Sequence, residues 1–495
     1  MPLFPRRTYL DHNATTPVAP EVRKVMLAAL KRRGGNASSL HTAGREARGV
    51  VEEARREVAA LLECEPERVF FTSGGTEANN AVIRGVLAAR GGKGHIVTAK
   101  IEHESVLAAC REAAAAGAEA EATYLPAGSD GLVRVEDVRT ALRPDTALIS
   151  VMHANNETGA VQPVREIAAL AREAKVPFHT DAVQTFGKLP TLVDELGCEF
   201  LSLSAHKING PKGCGALYWR GGARWTPLVA GGTQERELRG GTEGVHQLAG
   251  LAAACRLAAG RMASEQPRLA ALRERMLSGL RRVSPDVRIN EAPAGRQMPG
   301  TVSAEFPGRS GLRLLAGLDC YEVAVSIGSA CTADRIEPSH VLLGMGRSEE
   351  AALSTIRISM GSTTARADVD YFLKVLAKVL AGDPAGFAYL DPQHLTEERI
   401  RSPKTFLVDL RWPYERMLAP SIPGAELWSH IGFERYFRRI PRDREVVLMC
   451  TTGIFSLGAG YRLARAGHPA VRVVYGGYAA WRAAQPGLIE RLRGG

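Results

Sequence analysis

The chain is predicted to be an α/β protein with more than one domain, and three observations support this. Its 495 residues are too many for a single hydrophobic core, so two or three domains are expected. Over roughly the first 380 residues, short apolar runs alternate with Ala-rich helical stretches, which indicates a mainly parallel sheet covered by helices. A shorter α/β pattern follows the breaker-rich segment Gly382–Gly386, which is therefore the predicted domain boundary.

The individual elements are predicted from composition and spacing. β-Branched and aromatic runs bounded by turn residues predict strands, and in the first pattern these are Val69–Thr72, His95–Thr98, Ala147–Met152, Pro177–His179 and Phe200–Leu203. Helical spacing predicts helices over Thr76–Arg90 and Val164–Glu173. In the second pattern the predicted strands are Thr405–Val408, Val446–Met449 and Val471–Val474.

A change of pattern divides the first unit. From about Glu265 a long helix is followed by short strands and helices, which predicts a smaller α+β domain ending in a helix near Val369–Leu380. The predicted first unit covers residues 1–385, with a large domain over about 15–260 and a small domain over about 1–14 and 261–385. The predicted second unit covers residues 386–495.

Composition excludes several classes of protein. No run of eighteen apolar residues is present, so no membrane span is expected, and the first residues lack the apolar segment of a secretory signal. The net charge of +10 is spread over Arg-rich helices, which argues against direct nucleic-acid binding. The eight cysteines form no CxxC pair, so we expect no metal, and we expect free thiols in a reducing cytoplasm.

The first candidate site begins with a strand that runs into small residues and then a helix. In the segment Phe71–Glu77, backbone N–H groups at the predicted helix start, with Gly75 and the Thr76 hydroxyl, suit a phosphate group. Many strand-to-helix turns look similar and bind nothing, so this segment needs support from others.

Two further segments supply that support. Asp181 follows an apolar strand, where α/β active sites gather, and a buried Asp there requires a cationic partner such as a protonated pyridine nitrogen. A helix-capping role for Asp181 is an equally open alternative on its own. Lys207 lies between a strand and a Gly/Pro turn, where its amine can form a Schiff base with an aldehyde cofactor, while Ser204 and His206 flank it and suit the same phosphate.

Together, these segments predict a pyridoxal 5′-phosphate site. The order is a phosphate turn, an Asp and a Lys, with His103 placed after a strand to stack on the pyridine ring and to handle protons. The alternative for His103 is a cap on a surface helix.

At this point the chain resembles the cysteine desulfurase family. The resemblance rests on Tyr9–Thr16 (YLDHNATT), the turn with Glu77–Asn80 (EANN), Asn155–Gly159 (NNETG) and the Lys207 segment, and it covers about residues 8–370. It implies the aspartate-aminotransferase-type fold, with a large, mainly parallel sheet of the seven-stranded type and a small α+β domain. It also implies a homodimer.

The resemblance implies a role for each matching residue. Lys207 carries the Schiff base, Asp181 pairs with the pyridinium nitrogen, Gln184 contacts the ring hydroxyl and His103 stacks on the ring. Phosphate contacts come from Gly75, Thr76, Ser204 and His206, and Thr242 reaches the phosphate of the neighbouring subunit. Asn156 orients cofactor or substrate, and Asn13 joins it in binding substrate. Gly244 stands where relatives often have Asn.

A cysteine distinguishes this chain from other enzymes that use the same cofactor. Cys331 lies in Ser326–Thr332 (SIGSACT), where small neighbours leave a thiolate accessible, unlike the large apolar neighbours of a structural cysteine. The segment resembles the long catalytic loop of the NifS/IscS-like desulfurases. Arg357 matches the arginine that binds the substrate carboxylate, a role that suits a planar guanidinium.

The second unit contains its own candidate thiol. Cys450 follows a predicted strand in Met449–Ser456 (MCTTGIFS), where backbone N–H groups can converge on a charged sulfur, although a buried cysteine at a strand end is the alternative. With Val408–Arg411 and Gly476–Trp481, the segment resembles a rhodanese domain over roughly residues 391–493. Cys450 matches its persulfide cysteine. Phe455 stands where many rhodaneses have Arg, so weak activity on anions such as thiosulfate is expected.

The predicted reaction is conversion of L-cysteine to L-alanine with a persulfide on Cys331, relayed to Cys450 and then to a protein acceptor. The acceptor, such as an iron–sulfur scaffold or a sulfur carrier, is left open, with tRNA thiolation and cofactor biosynthesis as possible destinations. Selenocysteine lyase or a related enzyme of the same cofactor is one alternative. A non-catalytic sulfur carrier or scaffold is another.

Overall fold

A computed structural model of the chain describes residues 7–31, 34–115, 119–328, 337–382 and 384–494. The strands, in chain order, are β1 (Thr8–Tyr9), β2 (Val69–Thr72), β3 (Gly94–Ala99), β4 (Ala120–Leu125), β5 (Thr146–Ser150), β6 (Phe178–Asp181), β7 (Phe200–Ser204), β8 (Gly215–Trp219), β9 (Arg288–Ile289), β10 (Thr301–Glu305), β11 (Val323–Ala324), β12 (Thr355–Ser359), β13 (Phe387–Leu390), β14 (Thr405–Asp409), β15 (Glu426–Leu427), β16 (Glu445–Met449) and β17 (Val471–Val474).

The α-helices are numbered in the same way. They are α1 (Pro20–Lys31), α2 (Thr42–Leu62), α3 (Gly75–Ala88), α4 (Glu104–Ala115), α5 (Val135–Ala141), α6 (Val164–Glu173), α7 (Val193–Leu196), α8 (Val245–Val283), α9 (Gly311–Asp319), α10 (His340–Gly344), α11 (Glu349–Leu353), α12 (Arg366–Leu380), α13 (Glu397–Arg401), α14 (Pro413–Leu418), α15 (Ile454–Arg465), α16 (Gly477–Ala484) and α17 (Leu488–Gly494).

The largest sheet has seven strands in the order β2-β8-β7-β6-β5-β3-β4. All neighbouring strands pair in parallel except β8, which runs antiparallel to β2 and β7. Alternate side chains of one strand enter different cores: in β3, Ile96 belongs to the core that contains residues of α3 and α4, whereas Val97 belongs to the core that contains residues of α2 and α8. Helices therefore cover both faces of the sheet, which confirms the predicted α/β class.

A single 39-residue helix, α8, connects the large and small domains. It begins at Val245 rather than near Glu265, because residues 245–264 pack against α1 and α2 and are stabilised by that burial. Leu251 belongs to the core beneath the large sheet, while Met276 belongs to a second core with β10, β12 and α12. The predicted division near residue 260 thus falls inside one continuous helix.

The small domain is built on two short sheets. Strands β12, β10 and β9 form an antiparallel sheet, and β1 pairs with β11 in parallel, so the first strand of the chain adds to this domain. Leu10, directly after β1, is fully buried in the same core.

The second unit is a five-stranded parallel sheet in the order β13-β17-β16-β14-β15. Its helices lie on both faces, because one core contains Val446 and Leu448 of β16 and another contains Val447 and Met449. This is the second α/β domain that the sequence predicts.

The second unit packs on helix α9 of the small domain. Tyr461 of α15 lies against Gly317, and Arg462 forms an ion pair with Asp319 at 3.3 Å. The Arg465 guanidinium stacks 4.0 Å from the centre of the Tyr321 ring and donates to the Cys320 carbonyl. A shared apolar core and paired charges therefore join the two units.

No helix among the described residues is long and apolar enough to cross a membrane.

Candidate active site

Lys207 lies at the carboxyl end of the central sheet. Strand β7 ends at Ser204, and the next three residues form a 3-10 turn that ends at Lys207. Its Nζ donates to the Ala14 carbonyl at 2.9 Å and also to the Asn13 carbonyl. Burial, assisted by the Arg357 cation, lowers the pKa of Lys207 to about 8, so its amine is readily neutral and nucleophilic.

The predicted phosphate turn is a tight junction between β2 and α3. Gly74 has φ +151°, and a Cβ on Gly75 would lie 2.6 Å from Val183 Cγ2, so both positions favour glycine. The first N–H groups of α3 lack intrahelical acceptors by geometry, and Thr76 in this turn is exposed. The turn therefore offers free N–H donors and a hydroxyl to an anion.

His206 precedes Lys207 in the 3-10 turn after β7. Its Nδ1 is 3.1 Å from Thr15 Oγ1. Burial, with the Lys207, Lys188 and Lys212 cations, lowers the pKa of His206 to about 4. A neutral imidazole can donate one hydrogen bond to a phosphate oxygen.

Asp181 ends strand β6 and is held by donors on two sides. The Val183 N–H donates to Oδ1 at 2.9 Å, and Asn79 Nδ2 donates to Oδ2 at 2.7 Å. Asn79 also donates to Ser105 Oγ at 2.9 Å, and that hydroxyl is 2.8 Å from His103 Nδ1. One hydrogen-bonded chain thus links Asp181 and His103, two of the residues predicted to contact the cofactor ring.

His103 precedes helix α4 and faces open space. The Ser105 N–H donates to its Nδ1 at 3.1 Å, which assigns the ring proton to Nε2 in the neutral form. Desolvation by the surrounding protein lowers the pKa of His103. A neutral, exposed imidazole is suited to stacking and to proton transfer.

The Asn13 carbonyl gathers several of the predicted residues. It accepts from Lys207 Nζ and, at 3.0 Å, from Gln184 Nε2. Asn13 Nδ2 donates to the Asn156 carbonyl at 3.0 Å, and that carbonyl also accepts from Arg357 Nη1 at 3.3 Å. The residues predicted to bind cofactor and substrate therefore converge.

Arg357 lies in β12 of the small domain and is buried. Its Nη2 pairs with Asp11 Oδ1 at 2.8 Å, whereas its buried Nε has no partner in the described part of the chain. A carboxylate would satisfy the donors that remain.

Thr242 is exposed on the loop before α8. Three residues earlier, Arg239 pairs with Glu77 at 2.9 Å, which ties this loop to the phosphate turn of the same subunit. The predicted reach of Thr242 to a neighbouring subunit stays a prediction.

Of the two candidate thiols, the structure describes only Cys450. Cys331 lies outside the described residues, whereas Cys450 follows β16 and is almost fully buried. The Ser456 N–H, in the first turn of α15, donates to Cys450 Sγ at 3.4 Å, and the neighbouring Phe455, half exposed, stacks on His430 with ring centres 4.3 Å apart. The start of α15 therefore provides at least one N–H donor to the sulfur.

The residues present fit pyridoxal phosphate. Asp181 offers a carboxylate for the ring nitrogen, the buried Gln184 Oε1 lacks a partner among the described residues, and the turn beside Thr76 offers phosphate donors. Lys207 is placed to bind the aldehyde, and when bound the cofactor supplies an electron-withdrawing ring. The described residues contain no group of acidic, His or Cys side chains that could hold a metal.

Sequence comparisons match two parts of this chain to known families. Residues 8–372 match the family described as aminotransferase class V, and residues 393–484 match the rhodanese-like domain. The chain is 44% identical over 376 residues to cysteine desulfurase IscS of Dictyoglomus turgidum, across 76% of this chain and 95% of that one. It is also 44% identical over 377 residues to a mitochondrial cysteine desulfurase of Arabidopsis thaliana, across 75% and 82%.

Solved structures match the same region. A NifS-like protein superposes with a TM-score of 0.71 at 35% identity, covering 76% of this chain and all of the other. A NifS-like protein from Rickettsia africae gives a TM-score of 0.69 at 30% identity with the same coverage. The chain therefore belongs to the class-V aminotransferase family of pyridoxal-phosphate enzymes. Within that family it is a cysteine desulfurase, and a rhodanese-like domain follows the desulfurase unit.

Sequence reasoning missed Asn79, Ser105 and Asp11 as site residues. Asn79 is a buried polar residue among the alanines of α3, and Asp11 follows a strand, so polarity within an apolar stretch was the available signal. The partners of Asn79 and Asp11 lie 26 to 346 residues away, which no local pattern reveals.

Proposed function

We propose that this desulfurase transfers the sulfur of L-cysteine to Cys331, giving L-alanine and a Cys331 persulfide. The carbon–sulfur bond of the substrate breaks, its sulfur bonds to Cys331 Sγ, and the thiol and substrate protons are redistributed between the two products. The supporting observation is Arg357, a buried cation with an unsatisfied Nε, joined to Lys207 through Asn156 and Asn13.

Each residue has a role that its contacts support. Arg357 binds the substrate carboxylate. Hydrogen bonds with Asn156 and Asn13 fix the positions of Arg357 and Lys207 relative to each other. Neutral Lys207 Nζ accepts the proton from the substrate α-carbon, which its lowered pKa favours. His103 Nε2 donates or accepts a proton at the substrate.

Cysteine turnover by three variants tests the assignment. Cys331→Ser should bind cofactor and cysteine as the wild type does but release no sulfur, whereas Lys207→Ala should lose both covalent cofactor binding and turnover. Cys64→Ser, a partly exposed thiol on another surface, is the matched control and should turn over normally. Normal sulfide production by Cys331→Ser would refute the role of Cys331.

The rhodanese-like domain suggests a second transfer. In our proposal Cys450 attacks the outer sulfur of the Cys331 persulfide, which returns the Cys331 thiol and leaves a persulfide on Cys450. Support comes from the docking surface: α9, on which the second unit packs, leads through β11 to Gly328, where the segment that carries Cys331 begins. Both thiols are thus attached to neighbouring parts of the molecule.

Labelled cysteine tests the relay. Sulfur-35 should appear on Cys450 of the wild type, should be absent from Cys450 in Cys331→Ser, and should accumulate on Cys331 in Cys450→Ser. Mixing the two variants tests for transfer between chains. In the mixture Cys331 and Cys450 lie on different chains, so label on Cys450 must come from another chain. Failure of label to reach Cys450 during steady turnover would rule out the relay.

We further propose a homodimer that supplies sulfur to a protein acceptor, such as an iron–sulfur scaffold or a sulfur carrier, in the cytoplasm. The exposed Thr242 supports the dimer, and none of the described cysteines forms a disulfide, which fits a reducing compartment. Mixed dimers test the first point: Thr242→Ala in one subunit should weaken cofactor binding only in the other. Equal weakening in a pure monomer would exclude it.

A further inference from the structure

One buried carboxyl group contacts both ends of the segment that carries Cys331. Glu157 is 5% exposed, and it lies between Gly328, the last described residue before residues 329–336, and Ser339, which follows them closely. Neither the cofactor contacts nor the substrate contacts described above use this side chain.

The chain enters this segment in a fixed position. Ser326 and Arg357 exchange two backbone hydrogen bonds, of 3.0 and 2.7 Å, so the entering strand is paired with the strand of the substrate-binding arginine. Two residues later, Gly328 packs so closely on Glu157 that an added Cβ would lie 2.0 Å from Oε2. Only glycine allows the carboxyl group this approach.

The chain also leaves the segment in a fixed position. Ser339 Oγ donates to Glu157 Oε2 at 2.5 Å and accepts from the Leu342 N–H at 3.2 Å, which caps helix α10. Ser339 is almost fully buried. A buried hydroxyl that both caps a helix and donates to a carboxyl group has little freedom to move.

Glu157 is itself held by the substrate-binding region. Asn155 Oδ1 accepts from the Glu157 N–H at 2.8 Å, and the Asn155 amide donates to the Ile101 carbonyl at 2.9 Å. The preceding residue, Asn156, accepts from Arg357 and Asn13 through its carbonyl. Two adjacent residues thus contact the substrate-binding side chains on one side and both ends of the thiol segment on the other.

We propose that Glu157 is the positioning residue that sets where the Cys331 thiol can reach the sulfur of the bound substrate. Because Cys331 is three residues after Gly328, its Cα can lie no more than about 10 Å from that of Gly328. A displacement of Gly328 therefore moves the whole range that the thiol can cover. The inference rests on the proposed role of Cys331 as the sulfur acceptor.

Single-turnover kinetics of the holoenzyme separate positioning from binding. Glu157→Ala should leave the absorbance of the bound cofactor unchanged. The cysteine affinity, read from the concentration dependence of the absorbance change, should stay within twofold of the wild type, while the rate of persulfide formation on Cys331 falls at least tenfold. Glu157→Gln keeps an acceptor for Ser339 and should lose less than threefold. Glu305→Gln, at a buried carboxylate of the small-domain sheet, is the matched control. It should change neither cysteine binding nor the rate of persulfide formation.

A double-variant cycle adds an independent test. Gly328→Ala places a methyl group against the Glu157 carboxyl group and should also slow persulfide formation without affecting cysteine binding. The Gly328→Ala, Glu157→Ala double variant should be no slower than the worse single variant, because both changes disrupt the same contact.

Two results would overturn the proposal. Persulfide formation by Glu157→Ala within twofold of the wild type excludes a positioning role, and an equal loss of cysteine binding and persulfide formation assigns Glu157 to the binding site instead. Cys331→Ser, run alongside, separates the assumptions: labelled persulfide at another cysteine would refute the proposed sulfur acceptor itself.

Discussion

Asn79 Nδ2 lies 2.7 Å from Asp181 Oδ2 and donates a hydrogen bond to the carboxylate predicted to face the cofactor ring nitrogen. The same amide donates to Ser105 Oγ, which lies 2.8 Å from His103 Nδ1. Helix α3, which begins at the predicted phosphate turn, therefore also orients Asp181 and His103, both of which are predicted to contact the cofactor ring. One helix thus connects the residues predicted to bind the cofactor phosphate with those predicted to contact its ring.

Replacing Asn79 with Ala should weaken pyridoxal phosphate binding by about ten- to a hundredfold, because a hydrogen bond to a charged group contributes about 1.5–3 kcal/mol. Titration of the apo-protein with the cofactor, followed by absorbance, measures the loss. Asn80→Ala, at the next position of the same helix but with its amide on a backbone carbonyl, is the control. Equal affinities for the two variants would show that the network does not orient Asp181.

Covalent loading of the cofactor should follow the lowered pKa of Lys207. The neutral amine attacks the aldehyde, and burial lowers the Lys207 pKa from 10.5 to about 8, so the loading rate should rise with pH and level off above about pH 8. Stopped-flow mixing of apo-protein with pyridoxal phosphate over pH 6–10 measures this.

Arg357→Gln removes the second cause of that shift. Because the nearby cation disfavours a charged amine, its removal should raise the Lys207 pKa and move the plateau to higher pH. Arg143→Gln, at an exposed residue just before β5 that pairs with Glu121, should leave the profile unchanged. A loading rate that still increases tenfold per pH unit up to pH 10 would contradict a buried Lys207.

The strands and the order of the site residues could be predicted because both depend on local pattern. The runs Val69–Thr72 and Val471–Val474 coincide with β2 and β17, since apolar β-branched residues ended by turn residues define a strand almost alone. Asp181 and Lys207 follow parallel strands, and the carboxyl ends of such strands meet at one edge, so their convergence was implied.

What could not be predicted depends on contacts distant in sequence. Helix α8 begins 20 residues earlier than its pattern suggests, because Gly250 lowers helical propensity while packing on α1 compensates for it. Ser339 and Glu157 are 182 residues apart, and nothing near either residue indicates their hydrogen bond. Local periodicity therefore predicts elements and strand-end residues, whereas the side chains that orient them require the structure.

Phe455 should limit the second unit to sulfur carried on thiols. The Phe455 ring stacks on His430, and the Thr451 hydroxyl, in the loop after Cys450, donates to the Glu415 carboxylate at 2.6 Å, so this loop contacts a carboxylate that disfavours anions. Phe455→Arg should raise kcat/KM for thiosulfate about tenfold or more, because a charged hydrogen bond contributes about 1.5–3 kcal/mol. Thiocyanate formation from thiosulfate and cyanide measures it.

Two control variants test whether the added charge causes this gain in thiosulfate activity. Phe455→Leu removes the ring without adding charge and should not gain activity, and Cys450→Ser in the Phe455→Arg background should abolish the gain. If Phe455→Leu gains as much as Phe455→Arg, the aromatic stack restricts access and charge is not the cause.

The buried ion pair of Arg55 and Glu235 should be a main determinant of stability in the desulfurase unit. Both side chains are almost fully buried, the two pair through two hydrogen bonds of 2.8 and 2.9 Å, and Glu235 also accepts from the Phe71 N–H at 2.9 Å. Glu235→Ala removes the buried carboxylate and leaves Arg55 its longer contact with the more exposed Glu52 at 3.3 Å, which costs about 3–5 kcal/mol. Because Phe71 precedes the phosphate turn, cofactor affinity should fall as well.

Urea unfolding of the holoenzyme, monitored by cofactor absorbance, measures both effects. The exposed pair of Arg256 and Glu53 provides the control, since Glu53→Gln should cost at most about 1 kcal/mol. Equal losses in the free energy of unfolding for Glu235→Ala and Glu53→Gln would show that the buried pair contributes no more to stability than the exposed pair.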